Sequence, residues 1–263
     1  MDVSPSLRRS ETEQEAGSAN DSSQDVEKVW KTWERCVTVK KHSVVKRELS
    51  TSGLMLLPNG KVMYPYWAQE RLRNEAATLQ FVASNTKIPV PGCRLYSKDG
   101  LLHLEMTRIT NGVLLLDVDE ELRAAAVQAV EEQMNSDILP QLRSLRRSCV
   151  GSVDATLPVF PPQRVYGIDR RDWPRIASDS NEFVLCHNDL APQNIFVDPD
   201  NFQIVGIIDW EFAVFFPHYF ELPLWREFEW AAGKKMYDEA RPRELGFFGL
   251  TTDDLRDCRV ASP

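Results

Sequence analysis

Long apolar runs are missing from this chain. No stretch approaches the roughly twenty residues that span a bilayer, and the N-terminus has neither the basic nor the apolar region of a secretory leader. These absences predict a soluble, cytoplasmic protein with no membrane partner. Cysteine is sparse: Cys36, Cys93, Cys149, Cys186 and Cys258 are odd in number and form no Cys-x-x-Cys pair, which argues against a disulfide framework or a zinc site. Positive charge is also in deficit. The net charge is −8 and no basic patch is interleaved with aromatics, so nucleic acid is not an expected partner.

At 263 residues and 43% hydrophobic content, the chain can build a full core in one large domain or two lobes. Much of the acidity belongs to residues 1–27, which hold seven acids against two bases and no aromatic residue. That segment has too little apolar surface to offset the entropy of ordering, so it is expected to be a disordered acidic tail, most simply a plain solvated leader, with a regulatory role or docking of a partner protein as the alternative. Folding is expected to start near Val26 with a helical face of Val29, Trp30 and Trp33. Short strands at Cys36–Val39 and Ser43–Lys46 follow, then a hairpin of Leu54–Leu57 and Lys61–Tyr64 turning at Pro58-Asn59-Gly60. A helix over 68–84, stopped by Pro89 and Pro91, and strands at 94–96 and 101–107 complete a first unit, residues 28–110. Residues 111–263 form the second. It opens with helical periodicity over 117–147, broken at Pro140, and Asp117, Asp119, Glu120 and Glu121 suit the positive end of that helix. Leu157–Pro174 reads as irregular, and the aromatics from Trp210 to Trp230 read as core.

Chemistry concentrates in one segment. His187-Asn188-Asp189-Leu190-Ala191-Pro192-Gln193-Asn194 lies between two short apolar strands, 183–186 and 195–197, and a third strand returns from the turn Asp198–Asn201 to end at Asp209. A hairpin of this kind brings Asp189, Asn194 and Asp209 together. A carboxylate beside two oxygen donors able to hold Mg²⁺ is the set that phosphoryl transfer needs.

The segment resembles the aminoglycoside phosphotransferase and choline kinase family. His187 to Asn194 matches its His-x-Asp-x-x-x-x-Asn loop, and Ile207-Ile208-Asp209-Trp210-Glu211 matches its metal-binding segment. Asn74–Leu79 and Asn85–Pro91 are also similar to family members, especially fungal ones. The resemblance implies an α+β, two-lobed protein-kinase-like fold, with a small antiparallel-sheet N-lobe and a mainly helical C-lobe. It further implies an ATP- and Mg²⁺-dependent kinase of a small hydroxylated metabolite. In it Asp189 is the catalytic base or hydroxyl-orienting group, Asn194 and Asp209 hold Mg²⁺, and His187 braces the loop.

By the same resemblance a lysine on the third strand contacts the nucleotide phosphates and pairs with a helical glutamate, Glu75. Two lysines compete for that place. The closest register puts Met63 where the lysine belongs, with Lys61 two residues earlier on the same strand face, and Lys46 lies on an earlier strand. Repeated glycines that let a backbone approach phosphate are lacking, and Ser50-Thr51-Ser52-Gly53 reads first as a surface turn. The displaced lysine, with only 54 residues after Asp209, leaves a second reading open: a pseudokinase that binds nucleotide or acts as a scaffold without transfer. A metal-dependent hydrolase using the same acids is a third.

Overall fold

The computed structural model describes residues 25–166 and 173–255; most of the acidic tail, the middle of the proline-rich 157–174 segment and Cys258 lie outside the described residues. The N-terminal unit is a five-stranded antiparallel sheet of β1 (Val26–Lys31), β2 (Cys36–Lys40), β3 (Ser43–Arg47), β6 (Cys93–Lys98) and β7 (Leu101–Thr107), in the order β1-β2-β3-β7-β6. Between β3 and α1 (Ala68–Asn85) stands a separate two-stranded hairpin, β4 (Met55–Leu56) with β5 (Val62–Met63).

The predicted helical face at Val29 and Trp30 is instead strand β1. Its backbone pairs with β2 from Val26↔Lys40 to Lys31↔Cys36, and the hydrogen bonds of that ladder override a short apolar spacing that fits either period. This strand moves the count along the chain by one, so Lys46 stands on the third strand.

Helix α1 lays Leu72, Ala76, Leu79 and Val82 into the core, the stripe that its 3.6-residue period sets out. Asn74 and Glu75, both fully buried, lie on the same helix, Asn74 donating to the Glu211 carbonyl of the second unit and Glu75 accepting from Lys46. The helix ends where Thr86 Oγ donates back to the Val82 carbonyl at 2.8 Å, just before Pro89.

The second unit begins with β8 (Val113–Leu114), which joins β11 (Ile195–Val197) and β12 (Ile204–Ile207) in one three-stranded sheet. Helix α2 (Glu120–Gln133) and helix α3 (Leu139–Ser144) are connected by a turn of wider π-type coil over Met134–Ile138 rather than by a break. Pro140 then falls in the first turn of α3, directly after that wider coil. A second sheet contains β9 (Arg146–Arg147), β10 (Phe183–Cys186) and β13 (Val214–Phe216), with β10 in the centre and buried throughout. The segment read as irregular includes one short helix, α4 (Gln163–Tyr166).

Helix α5 (Trp230–Phe247), which the sequence reading did not set out, closes the lobe. Phe216 and Phe220 stack on one another and meet Trp173, and Phe247 and Phe248 at the end of that helix, edge to face or tilted, so the aromatic stretch after Asp209 is largely core. One continuous apolar core runs through both units. No helix among the described residues is long and apolar enough to cross a membrane, and none of the described cysteines is in a disulfide.

Candidate active site

After β10 the chain turns sharply at Asn188, whose φ of 69° lies in the left-handed region that Asn tolerates better than most residues. The Asn188 carboxamide donates to the Phe212 carbonyl at 2.7 Å, which fixes the turn to the chain beyond Asp209. His187 is fully buried and spends both ring nitrogens on backbone: Nε2 donates to the Ile208 carbonyl at 2.9 Å and Nδ1 accepts from the Asp189 amide at 3.2 Å. Those roles require the neutral ring, and burial holds its pKa down at about 4. His187 therefore ties the backbone of Asp189 to the residue preceding Asp209.

Asn194 closes the loop. Its Nδ2 donates to the Asp189 carbonyl at 2.8 Å and to Asp189 Oδ2 at 2.9 Å. Strand β11 pairs with β12 through Ile195↔Ile207, and the Ile208 amide continues the ladder onto the Asn194 carbonyl at 3.0 Å. The chain then kinks at Asp209, also left-handed at φ 68°. Asp189, Asn194 and Asp209 are thus joined by consecutive hydrogen bonds across 21 residues of chain. Burial, then the charge of Asp209, pushes the Asp189 carboxyl up to about 7.

The sheet lobe reaches this hairpin through one ammonium group. Lys46 Nζ lies 2.7 and 3.0 Å from the two oxygens of Glu75 and 2.6 Å from Asp209 Oδ1. Burial opposes the charge on Asp209, but Lys46 and then Arg35 outweigh it and hold that carboxyl at about 2. Burial drives Glu75 upward against the pull of Lys46. Lys61 is elsewhere: it is exposed at the turn between β4 and β5, where its amide donates to Asn59 Oδ1 at 3.0 Å. Two residues on, Met63 faces inward and is buried. Of the two candidate lysines, the structure brings Lys46 to Glu75 and Asp209 and does not bring Lys61.

Several residues of the site were not singled out in the sequence. Glu211 follows Asp209 by two and bonds Arg35, from the turn between β1 and β2. Arg71 of α1, 1% exposed, reaches Glu34 at 2.9 Å and Glu211 at 3.6 Å. Asn74 donates to the carbonyls of Glu211 and Ala213, each at 3.0 Å. On the other side Glu221 accepts the amides of His187 and Asn188, while Arg164 of α4 binds the carbonyls of Asn188 and Phe220 and pairs with Glu244 of α5 at 3.0 Å. The signal for Glu211 was its place inside the Ile-Ile-Asp-Trp-Glu segment. The others are joined only by the fold.

The donor set suits a hard divalent cation. Both hydrogens of Asn194 Nδ2 are directed to Asp189, so Oδ1 is the donor atom left to a metal. Among the described residues, Asn194 Oδ1 and Asp209 Oδ2 have no hydrogen-bond partner, and neither is a sealed buried atom. Glu75, Asp209 and Glu211 also place one oxygen each within 4.8 Å of one another, but Lys46 and Arg35 are bonded into that group.

The profile of the phosphotransferase enzyme family matches residues 57–223, more than half of the chain and the whole of the catalytic hairpin. The chain belongs to this family. Comparison with curated proteins gives no match. Among solved structures, this phosphotransferase family member is similar to a thermostable mutant of aminoglycoside phosphotransferase APH(4)-Ia in ternary complex with AMP-PNP and hygromycin B, at 15% identity over 86% of this chain and 80% of that one, TM-score 0.49. It is also similar to a GDP complex of a mutant aminoglycoside 2′-phosphotransferase IIIa, at 14% identity over 83% and 76%, TM-score 0.47. A third is the aminoglycoside 3′-phosphotransferase of type VIII, at 15% identity over 83% and 84%, TM-score 0.41.

Proposed function

We propose that this phosphotransferase family member moves the terminal phosphoryl group of ATP to a hydroxyl of a small metabolite, with Mg²⁺ as the required cation. The observation that carries the reading is the single ammonium of Lys46, held between Glu75 of the sheet lobe and Asp209 of the helical lobe. A cation fixed there stands beside the place where phosphate charge accumulates, and preorganised charge of that kind needs no reorganisation during the reaction.

Asp189 is positioned by two hydrogen bonds from Asn194 and by one that its own amide donates to His187 Nδ1. Its role is to orient the acceptor hydroxyl and take its proton, and a carboxyl near neutrality is matched to that task. Asn194 and Asp209 would hold Mg²⁺, which when bound supplies neutralisation of the phosphate oxygens. Glu75 fixes Lys46, and His187 holds the two catalytic segments at a constant separation. Cytoplasmic location and a small-metabolite acceptor complete the proposal.

The test is transfer of labelled γ-phosphate into a metabolite extract. Appearance of a labelled acid-stable product with the native protein, and its absence with Asp189→Ala, supports the reading; label remaining in ATP and free phosphate with both proteins would refute it. One observation favours the pseudokinase alternative: the turn between β1 and β2 contains no glycine and three of its four amides are already hydrogen-bonded. A Mg-ATP-dependent rise in melting temperature without any labelled product would support that alternative.

A further inference from the structure

The turn Thr32-Trp33-Glu34-Arg35 joins the first two strands of the sheet and overhangs the cleft acids. A backbone that cradles phosphate does so with unpaired amides and with glycines that permit close approach. This turn has no glycine, and three of its four amides are already paired. The amides of Glu34 and Arg35 both donate to Thr32 Oγ, at 3.2 and 3.1 Å, and the amide of Thr32 donates to the Arg35 carbonyl at 2.9 Å. The turn is anchored from below as well, because Glu34 is bonded to the buried Arg71 of α1.

What the turn does present is a guanidinium. Arg35 is only 8% exposed, and it is directed into the cleft, where it bonds Glu211 and senses the charges of Asp209 and Glu75. Two cations, Lys46 and Arg35, therefore meet the carboxylates of Glu75, Asp209 and Glu211 from the sheet side. The charged groups are thus bonded to one another, Arg35 to Glu211 and Lys46 to Glu75 and Asp209.

We infer that Arg35 is the phosphate-binding group of this turn: its side chain exchanges Glu211 for the phosphates of a nucleoside triphosphate, in place of the backbone amides that a glycine loop would supply. Arginine suits the exchange, since its planar fork matches carboxylate and phosphate oxygens alike and stays charged throughout. The inference rests on the nucleotide-dependent reading given above.

The experiment compares binding of Mg-ATP and of adenosine, by calorimetry, to the native protein, Arg35→Met, Arg35→Lys and the pair Arg35→Met with Glu211→Gln. The pair is included because Arg35→Met alone leaves Glu211 with only the more distant Arg71, at 3.6 Å, as its cation. Arg35→Met and the pair are expected to bind Mg-ATP roughly ten- to a hundredfold more weakly, the loss of one charged hydrogen-bonding group, with adenosine unchanged and Arg35→Lys intermediate. Mg-ATP binding at native strength in Arg35→Met overturns the inference. So does recovery of native binding in the pair, because Arg35 would then act only by neutralising Glu211. Absence of any Mg-ATP binding to the native protein defeats the proposed function itself, a result distinct from either of these.

Discussion

The catalytic hairpin of the helical lobe and the first three strands of the sheet lobe face each other across Lys46, and they are built in opposite ways. In the hairpin, Asp189, Asn194 and Asp209 lie within 21 residues and are fixed by short-range ladders and side-chain bonds. In the sheet lobe, Arg35, Lys46, Arg71 and Glu75 come from three elements, the β1–β2 turn, β3 and α1, and they meet only because those elements pack in one arrangement. A local device survives as a motif; a distributed one has no motif to leave. The lysine that local spacing seemed to misplace is therefore present in space, where Lys46 is bonded to Glu75 and Asp209.

The largest expected effect tests the hairpin. Asp189→Ala should lower turnover by about a hundred- to ten-thousandfold while Mg-ATP still raises the melting temperature, as for loss of a general base alone; equal turnover would remove Asp189 from the chemistry. The distributed side comes next. Lys46→Met should cost roughly a hundred- to a thousandfold in turnover, the range for one preorganised electrostatic donor, and Lys61→Met should leave kcat within about twofold. Reversal of that order in steady-state rates would break the contrast between the two lysines.

A third prediction concerns pH. His187 is neutral in the folded chain with a pKa of about 4, against 6.5 for an ordinary imidazole. The unfolded chain therefore takes up a proton first, and stability is lost as pH falls from about 6.5 to 4, by roughly 3 kcal/mol from this group. Denaturant titrations of the native protein and His187→Gln at several pH values should show their difference shrinking over that window; a constant difference would contradict it. Smaller still, Asn74→Ala should destabilise by about 1–3 kcal/mol, because the Glu211 and Ala213 carbonyls lose their donor. Smallest is Leu56→Ser on the exposed β4–β5 hairpin, expected within about 0.5 kcal/mol of native in the same titrations.

How much could be read from the residues follows the same division. The strands flanking the catalytic loop, the helix over 68–85 with its buried stripe, and the β2–β3 and β6–β7 pairs follow local periodicity and turn chemistry. Strand β1 was hidden because Val29, Trp30 and Trp33 satisfy a helical spacing as readily as an extended one, and only the pairing of Val26–Lys31 with β2 decides between them. That one misreading made Lys46 look too early in the chain to belong with Glu75. The salt bridge of Arg164 with Glu244 spans 80 residues, a separation on which sequence pattern is silent.

Arg164 also has a consequence for how damage would spread through the molecule. One guanidinium fastens the carbonyls of Asn188 and Phe220 to Glu244, so the reaction centre and the last helix share a rivet. Proteolytic nicking or substitution along α5, far from any phosphate, would loosen the peptide bond immediately before Asp189. The Asp189 loop would then lose its place before the rest of the fold does.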